Sequence, residues 1–219
     1  MSQSDADPVV RPLVKICGLT NVADAMAAIE FGADALGFNF YPGTKRYVGA
    51  GAAREWMAEL PATTVKIAVV VDPAWDEALA LAAWPGITAL QLHGRETPGF
   101  CRRLAEQGIR FSKAIPVTNG EALSDVSSFF TRTIVLDSAH SGQFGGTGRT
   151  FPWEIADQFV RANSNLRVIL AGGLTPDNVA NAVATVRPFG VDVTSGVEAS
   201  PGRKDQGLLR AFIAAARGC

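Results

Sequence analysis

Two side chains in this sequence are placed for proton transfer. Cys17 ends the apolar run Val14-Lys15-Ile16, and Gly18 turns the chain before a helix-like pattern that starts at Thr20. Asp137 ends a second apolar run, Thr133-Ile134-Val135-Leu136, in the same way. A thiolate is a base and a protonated carboxyl an acid, so a thiol and a carboxyl at equivalent strand ends suit acid–base chemistry on one small substrate. Taken singly, a lone cysteine is more often a small buried hydrophobe, and an aspartate after a strand more often a turn former. The chemical reading therefore depends on elements that bring the two strand ends together.

Runs rich in Val, Ile, Leu and Phe recur at 13–17, 34–39, 65–71, 87–92, 111–117, 133–137, 167–171 and 190–195. Near-continuous apolar character is expected of strands buried on both faces. Alanine-rich segments with helical spacing lie between them, for example 21–31, 74–84 and 176–186, and 208–217 closes the chain with another. Thr20, Asp72-Pro73, Thr97-Pro98 and Thr175-Pro176 read as helix caps, three of them followed by a first-turn proline. Eight strands alternating with eight helices give an α/β fold, a single-domain (β/α)8 TIM barrel over 13–219 with right-handed crossovers. Residues 1–12, polar and proline-punctuated, read as a flexible N-terminal tail. An open doubly wound sheet is the alternative, but a count of eight favours closure.

Composition narrows the function. With 20 basic and 21 acidic side chains, the net charge of −1 gives no support for nucleic-acid or anionic-membrane partners. No apolar run reaches spanning length and the N-terminus has no signal-peptide pattern. Cys17, Cys101 and Cys219 are few and scattered, which fits a reducing, cytoplasmic setting better than a disulfide framework. None has zinc-ligand spacing, and no metal is expected.

Barrel chemistry sits at the carboxyl ends of the strands. The residues there are Cys17, Asn39, Asp72, His93, Pro116, Asp137, Gly172 and Ser195. Asp72 reads as a helix cap. Glycine-bearing turns follow strands seven and eight, Leu170-Ala171-Gly172-Gly173-Leu174-Thr175 and Thr194-Ser195-Gly196-Val197-Glu198. Glycines let backbone N–H groups approach an anion, and this end of the fold often binds phosphate. Gly172, Gly173, Ser195 and Gly196 are therefore phosphate candidates, with Gly146 and Gly148 from the loop Gly145-Gly146-Thr147-Gly148 as further amide donors. His93 either bonds the substrate or packs the rim.

Strand alternation adds an expectation about the interior. Lys15 and Cys17 point to one face, and in a closed barrel the eighth strand lies beside the first. Asp192 should then pair with Lys15 beneath the thiol, because a buried lysine without a partner is costly.

Lys15-Ile16-Cys17-Gly18-Leu19-Thr20, Gln91-Leu92-His93-Gly94, Leu136-Asp137, Gly145-Gly146-Thr147-Gly148, Leu170-Ala171-Gly172-Gly173-Leu174, Asp192-Val193-Thr194-Ser195-Gly196-Val197-Glu198 and Pro201-Gly202-Arg203-Lys204-Asp205 occur in that order. Together they resemble the phosphoribosylanthranilate isomerases of tryptophan biosynthesis, from about residue 13 to the C-terminus. The resemblance implies an Amadori rearrangement of N-(5-phosphoribosyl)anthranilate to 1-(2-carboxyphenylamino)-1-deoxyribulose 5-phosphate. It implies Cys17 as general base, Asp137 as general acid and Arg46 as the partner of the anthranilate carboxylate. No net oxidation occurs, so no cofactor is expected; the partner is a small-molecule substrate. The chain departs from the family at Thr44-Lys45, where Ser-Pro usually precedes the arginine, which offers Lys45 as a competing cation. The related histidine-pathway isomerase typically uses two aspartates, and Cys17 stands where the first would be. A non-catalytic phosphate-binding barrel is the reading from a different class. The sequence leaves oligomeric state open, with the monomer slightly favoured.

Overall fold

A computed structural model describes residues 11–117, 123, 125–138 and 151–218. The expected loop Gly145-Gly146-Thr147-Gly148 lies outside the described residues, as does the expected tail except for Arg11 and Pro12.

Eight parallel strands close into a barrel in sequence order. They are β1 (Leu13–Ile16), β2 (Ala35–Asn39), β3 (Val65–Val70), β4 (Ala89–Leu92), β5 (Phe111–Val117), β6 (Thr133–Ser138), β7 (Arg167–Leu170) and β8 (Gly190–Val193). A short antiparallel ribbon, β9 (Glu198–Ser200) and β10 (Arg203–Lys204), follows β8. Among the described residues seven α-helices surround the barrel: α1 (Val22–Glu30), α2 (Ala50–Met57), α3 (Trp75–Ala82), α4 (Pro98–Glu106), α5 (Trp153–Ala162), α6 (Val179–Val186) and α7 (Gln206–Ala216). Between β5 and β6, where the eighth was expected, the described residues hold no α-helix and include a 3-10 turn, Val126–Phe129. Its sequence, VSSF, has little helix propensity, and Ser128 Oγ turns back to bond the Asp125 carbonyl at 2.8 Å.

The strands are apolar because each faces two cores. Their outer side chains pack with the helices in one large cluster that includes Phe38, Leu90, Leu136, Leu170 and Phe212, all fully buried. Inside the barrel only Ala114, Val135, Ile169 and Ala171 form a separate apolar cluster. The interior also holds the buried polar groups Lys15, Gln91 and Asp192, beside apolar residues such as Ile67 and Val69. So many desolvated polar groups cost stability unless each is bonded, and a fold retains them where they serve chemistry.

Three cap assignments change. Thr97 does cap α4, accepting from Phe100 N–H at 3.2 Å with Pro98 behind it. Thr20 does not cap α1; Asn21 does, while the Thr20 hydroxyl donates to the Gly202 carbonyl at 2.6 Å. Asp72 is not a cap either. It adopts φ 45°, its carboxylate accepts from Arg95 N–H on the next loop at 2.5 Å, and α3 starts behind Ala74. Thr175-Pro176 falls in a turn, because the Asn178 side chain bonds back to Thr175 N–H and Gly173 O and delays α6 to Val179. Pro116 lies within β5 rather than after it.

Candidate active site

The register of closure builds the floor of the site. β1 and β8 pair with Lys15 opposite Asp192, and Cys17 N–H donates to Val193 O at 2.8 Å. Lys15 Nζ reaches Asp192 Oδ2 at 2.6 Å, both residues being almost wholly buried. The expected pair therefore forms beneath the thiol. Gly37 on β2 makes room for it: a β-carbon there would lie 2.7 Å from Cys17 Sγ and 3.1 Å from Lys15 Nζ. The sulfur and the ammonium thus share one crowded spot. Burial pushes the Cys17 thiol up, the Lys15 charge pulls against it, Asp192 adds to the rise and Lys204 opposes it. Lys15 itself is held protonated, its burial outweighed by Asp192 and the nearby thiol.

Asp137 stands across the mouth at the end of β6. His93 Nε2 lies 3.0 Å from its Oδ2, and His93 Nδ1 lies 3.2 Å from Gln91 Nε2. An amide donor on Nδ1 leaves the imidazole proton on Nε2, directed at the carboxyl. Behind Asp137, Gly172 takes φ 82°, and a β-carbon there would come within 2.6 Å of Asp137 Oδ1. Glycine is required at this point by both conformation and space.

Arg46 reaches the mouth from the β2–α2 loop. Its Nε and Nη2 form a two-bond fork with Glu198 at 2.8 and 2.7 Å. That fork raises the Arg46 pKa. Burial pushes Glu198 up, but Arg46 and Lys204 outweigh it and hold the carboxyl below its ordinary range. Thr44 Oγ1 accepts Arg46 N–H at 3.3 Å, which steadies the loop where the family has proline. Lys45 is exposed and does not line the cleft.

Cys17, Arg46, His93, Asp137, Gly172, Gly173, Ser195 and Gly196 all line one cleft at the carboxyl mouth of the barrel. Asp72 lies on a neighbouring loop outside it. Burial in α4 pushes the Cys101 thiol up to about 11, so it stays a structural hydrophobe. Cys219 lies outside the described residues. Among the described residues no group of His, Cys, Asp or Glu is arranged to hold a metal ion, and no helix is long and apolar enough to cross a membrane.

The family profile for N-(5'-phosphoribosyl)anthranilate (PRA) isomerase matches residues 14–215. The chain belongs to the N-(5'-phosphoribosyl)anthranilate isomerase family. A relative of that name from Geobacter sp. (strain M21) is 44% identical over 204 residues, which is 93% of this chain and 97% of the relative. The crystal structure of phosphoribosyl anthranilate isomerase from Thermotoga maritima superposes with a TM-score of 0.86 at 39% identity, covering 95% of this chain and all of that one. A second isomerase structure, in complex with reduced 1-(o-carboxyphenylamino)-1-deoxyribulose 5-phosphate, gives 0.82 at 38% identity with the same coverage.

Several residues that build this isomerase site carried no role in the sequence. Gln91 and Glu198 sit inside recognisable motifs, yet their partners are fixed only by three-dimensional geometry. Lys204 bonds Thr194 O at 2.9 Å and Glu198 at 3.2 Å. Lys113 and Glu96 form a second buried pair at 2.8 Å. Glu96 also accepts the N–H groups of Gly94 and Asp72, and Lys113 donates to Gly94 O. With its hydrogen bonds filled, the pair fixes the turn after His93 instead of leaving buried charge exposed to desolvation cost.

Proposed function

We propose that this protein isomerises N-(5'-phosphoribosyl)anthranilate by general acid–base catalysis, with Asp137 as acid and Cys17 as base. The observation that carries the assignment is that the sulfur and the carboxyl line a single cleft from strand ends on different sides of the barrel. Asp137 gives its proton to the ribose ring oxygen. The C1–O bond breaks with its electron pair going to that oxygen, and the nitrogen lone pair forms the C1=N bond. Cys17 then takes the proton from C2; those electrons form C1=C2, and the C=N pair returns to nitrogen. The enol loses its hydroxyl proton as C1 gains one, giving the ketone. C1 is reduced and C2 oxidised within one molecule, so no external electron carrier enters.

The phosphate is assigned to the turns after β7 and β8, whose Gly172, Gly173, Ser195 and Gly196 line the cleft and can offer it backbone amides. The anthranilate carboxylate is assigned to Arg46, already aimed by Glu198. Lysine cannot offer a planar fork, so Arg46→Lys should raise KM by about tenfold or more with a smaller change in kcat. Steady-state kinetics check this; an unchanged KM would remove Arg46 from substrate recognition.

Because the thiol is held up, little of it is ionised at neutral pH, and kcat/KM should climb as pH rises towards the Cys17 ionisation. A cation lowers a neighbouring thiol's pKa, so Lys15→Met should move this rising limb to higher pH and slow the enzyme at neutrality. A pH–rate profile that stays in place would end the electrostatic role of Lys15. The function as a whole is tested by following loss of phosphoribosylanthranilate fluorescence with the purified protein, with the histidine-pathway Amadori substrate as comparison. Turnover of the first is expected, and its absence would overturn the reading.

A further inference from the structure

Asp192 has one oxygen occupied and one left over. Its Oδ2 holds Lys15 Nζ at 2.6 Å. Its Oδ1 is buried and has no hydrogen-bond partner among the described residues. The residue is only 6% exposed, yet it lines the cleft shared by Cys17 and Asp137. A buried carboxylate oxygen without a donor is a costly arrangement, and native structures retain one where something else supplies the bond. Among the described residues nothing supplies that bond, and a ligand that fills the cleft can.

Geometry narrows which donor. Lys15 Nζ lies against Asp192 on one side and shares the space beside Gly37 with Cys17 Sγ. Asp192 and the sulfur thus converge on the same small region at the base of the mouth. The atom that meets Cys17 in the reaction is the hydrogen on C2, and C2 carries one other polar substituent, its hydroxyl. We infer that Asp192 Oδ1 accepts a hydrogen bond from the C2 hydroxyl of the sugar, so that one carbon presents its hydrogen to Cys17 and its hydroxyl to Asp192. This inference rests on the assignment of Cys17 as base and extends it to a second residue touching the reacting carbon.

The contact does two things. It fixes rotation about C2, so the hydrogen rather than the hydroxyl faces the sulfur. It also places an acceptor on the hydroxyl whose proton must leave when C2 becomes a carbonyl. Lys15 holds the carboxyl by its other oxygen, which keeps Oδ1 directed for that task; burial pushes the Asp192 pKa up and the Lys15 charge pulls against it.

The test uses two unreactive ligands, reduced 1-(o-carboxyphenylamino)-1-deoxyribulose 5-phosphate, whose C2 bears a hydroxyl, and its counterpart lacking that hydroxyl. The wild-type protein should prefer the hydroxylated ligand by about 10- to 100-fold, as a hydrogen bond to a charged acceptor implies. Asp192→Asn should reduce the preference, and Lys15→Met/Asp192→Val, which removes both buried charges together, should lower it to less than about threefold. Because each preference is a ratio within one variant, a general weakening of the site cancels. Absence of preference in the wild type, or its survival in the double variant, overturns the contact. Cys17→Ser should keep the preference while losing turnover. A Cys17→Ser protein with near-normal turnover but an intact Asp192-dependent preference would remove only the base assignment.

Discussion

Replacing Cys17 by serine should lower kcat by about 10²- to 10⁴-fold, the range for loss of a general base. The substitution is nearly isosteric and should leave the barrel folded, but an alcohol ionises far less readily than a thiol in the same buried spot. The loss should fall on the C–H cleavage step. Substrate deuterated at C2 should therefore show a larger isotope effect with the serine variant than with the parent. The fluorescence assay for phosphoribosylanthranilate measures both. Turnover near that of the parent would take the base role away from Cys17.

Asp137→Asn should produce a loss of similar size for the opposite reason. The amide keeps the shape of the side chain and can still accept from His93, so the geometry around β6 survives, but no acidic proton remains for the ring oxygen. Ring opening should then limit the rate, and the C2 isotope effect should shrink rather than grow. The two variants thus separate acid from base by opposite movement of one observable. An isotope effect that grows in both variants would mean that Asp137 acts after ring opening, and a fully active variant would remove it from the mechanism.

Much of this site was legible because strand periodicity is rigid. A side chain two residues below Cys17 must share its face, and closure of eight strands must set β8 against β1, so the Lys15–Asp192 pair followed from counting. The convergence of Cys17 and Asp137 followed from the same rule. Loops obey no such period. The Arg46–Glu198 fork joins residues 152 positions apart through two irregular segments, and no spacing in the chain announces it. His93 was divided between substrate and rim; its bond to Asp137 depends on how the ends of β4 and β6 lean together. Asp72 failed as a cap because its carboxylate is used by the next loop, a competition that local sequence cannot display. Between β5 and β6 alternation predicts a helix, while the described residues there hold no α-helix and include the serine-bearing 3-10 turn Val126–Phe129.

The mouth of the barrel is laced between the two ends of the polypeptide. Lys15 meets Asp192, Thr20 meets Gly202, Asp24 accepts from Lys204 N–H at 2.9 Å, and Arg46 meets Glu198. The thiol, Lys15 and Arg46 all lie in the first quarter of the sequence, yet the carboxylates that hold the two cations, Asp192 and Glu198, lie in its final fifth. A nascent or truncated barrel lacking that segment carries an unshielded lysine beside an idle cysteine. Competence for chemistry is therefore acquired abruptly, when β8 and the ribbon after it close against β1.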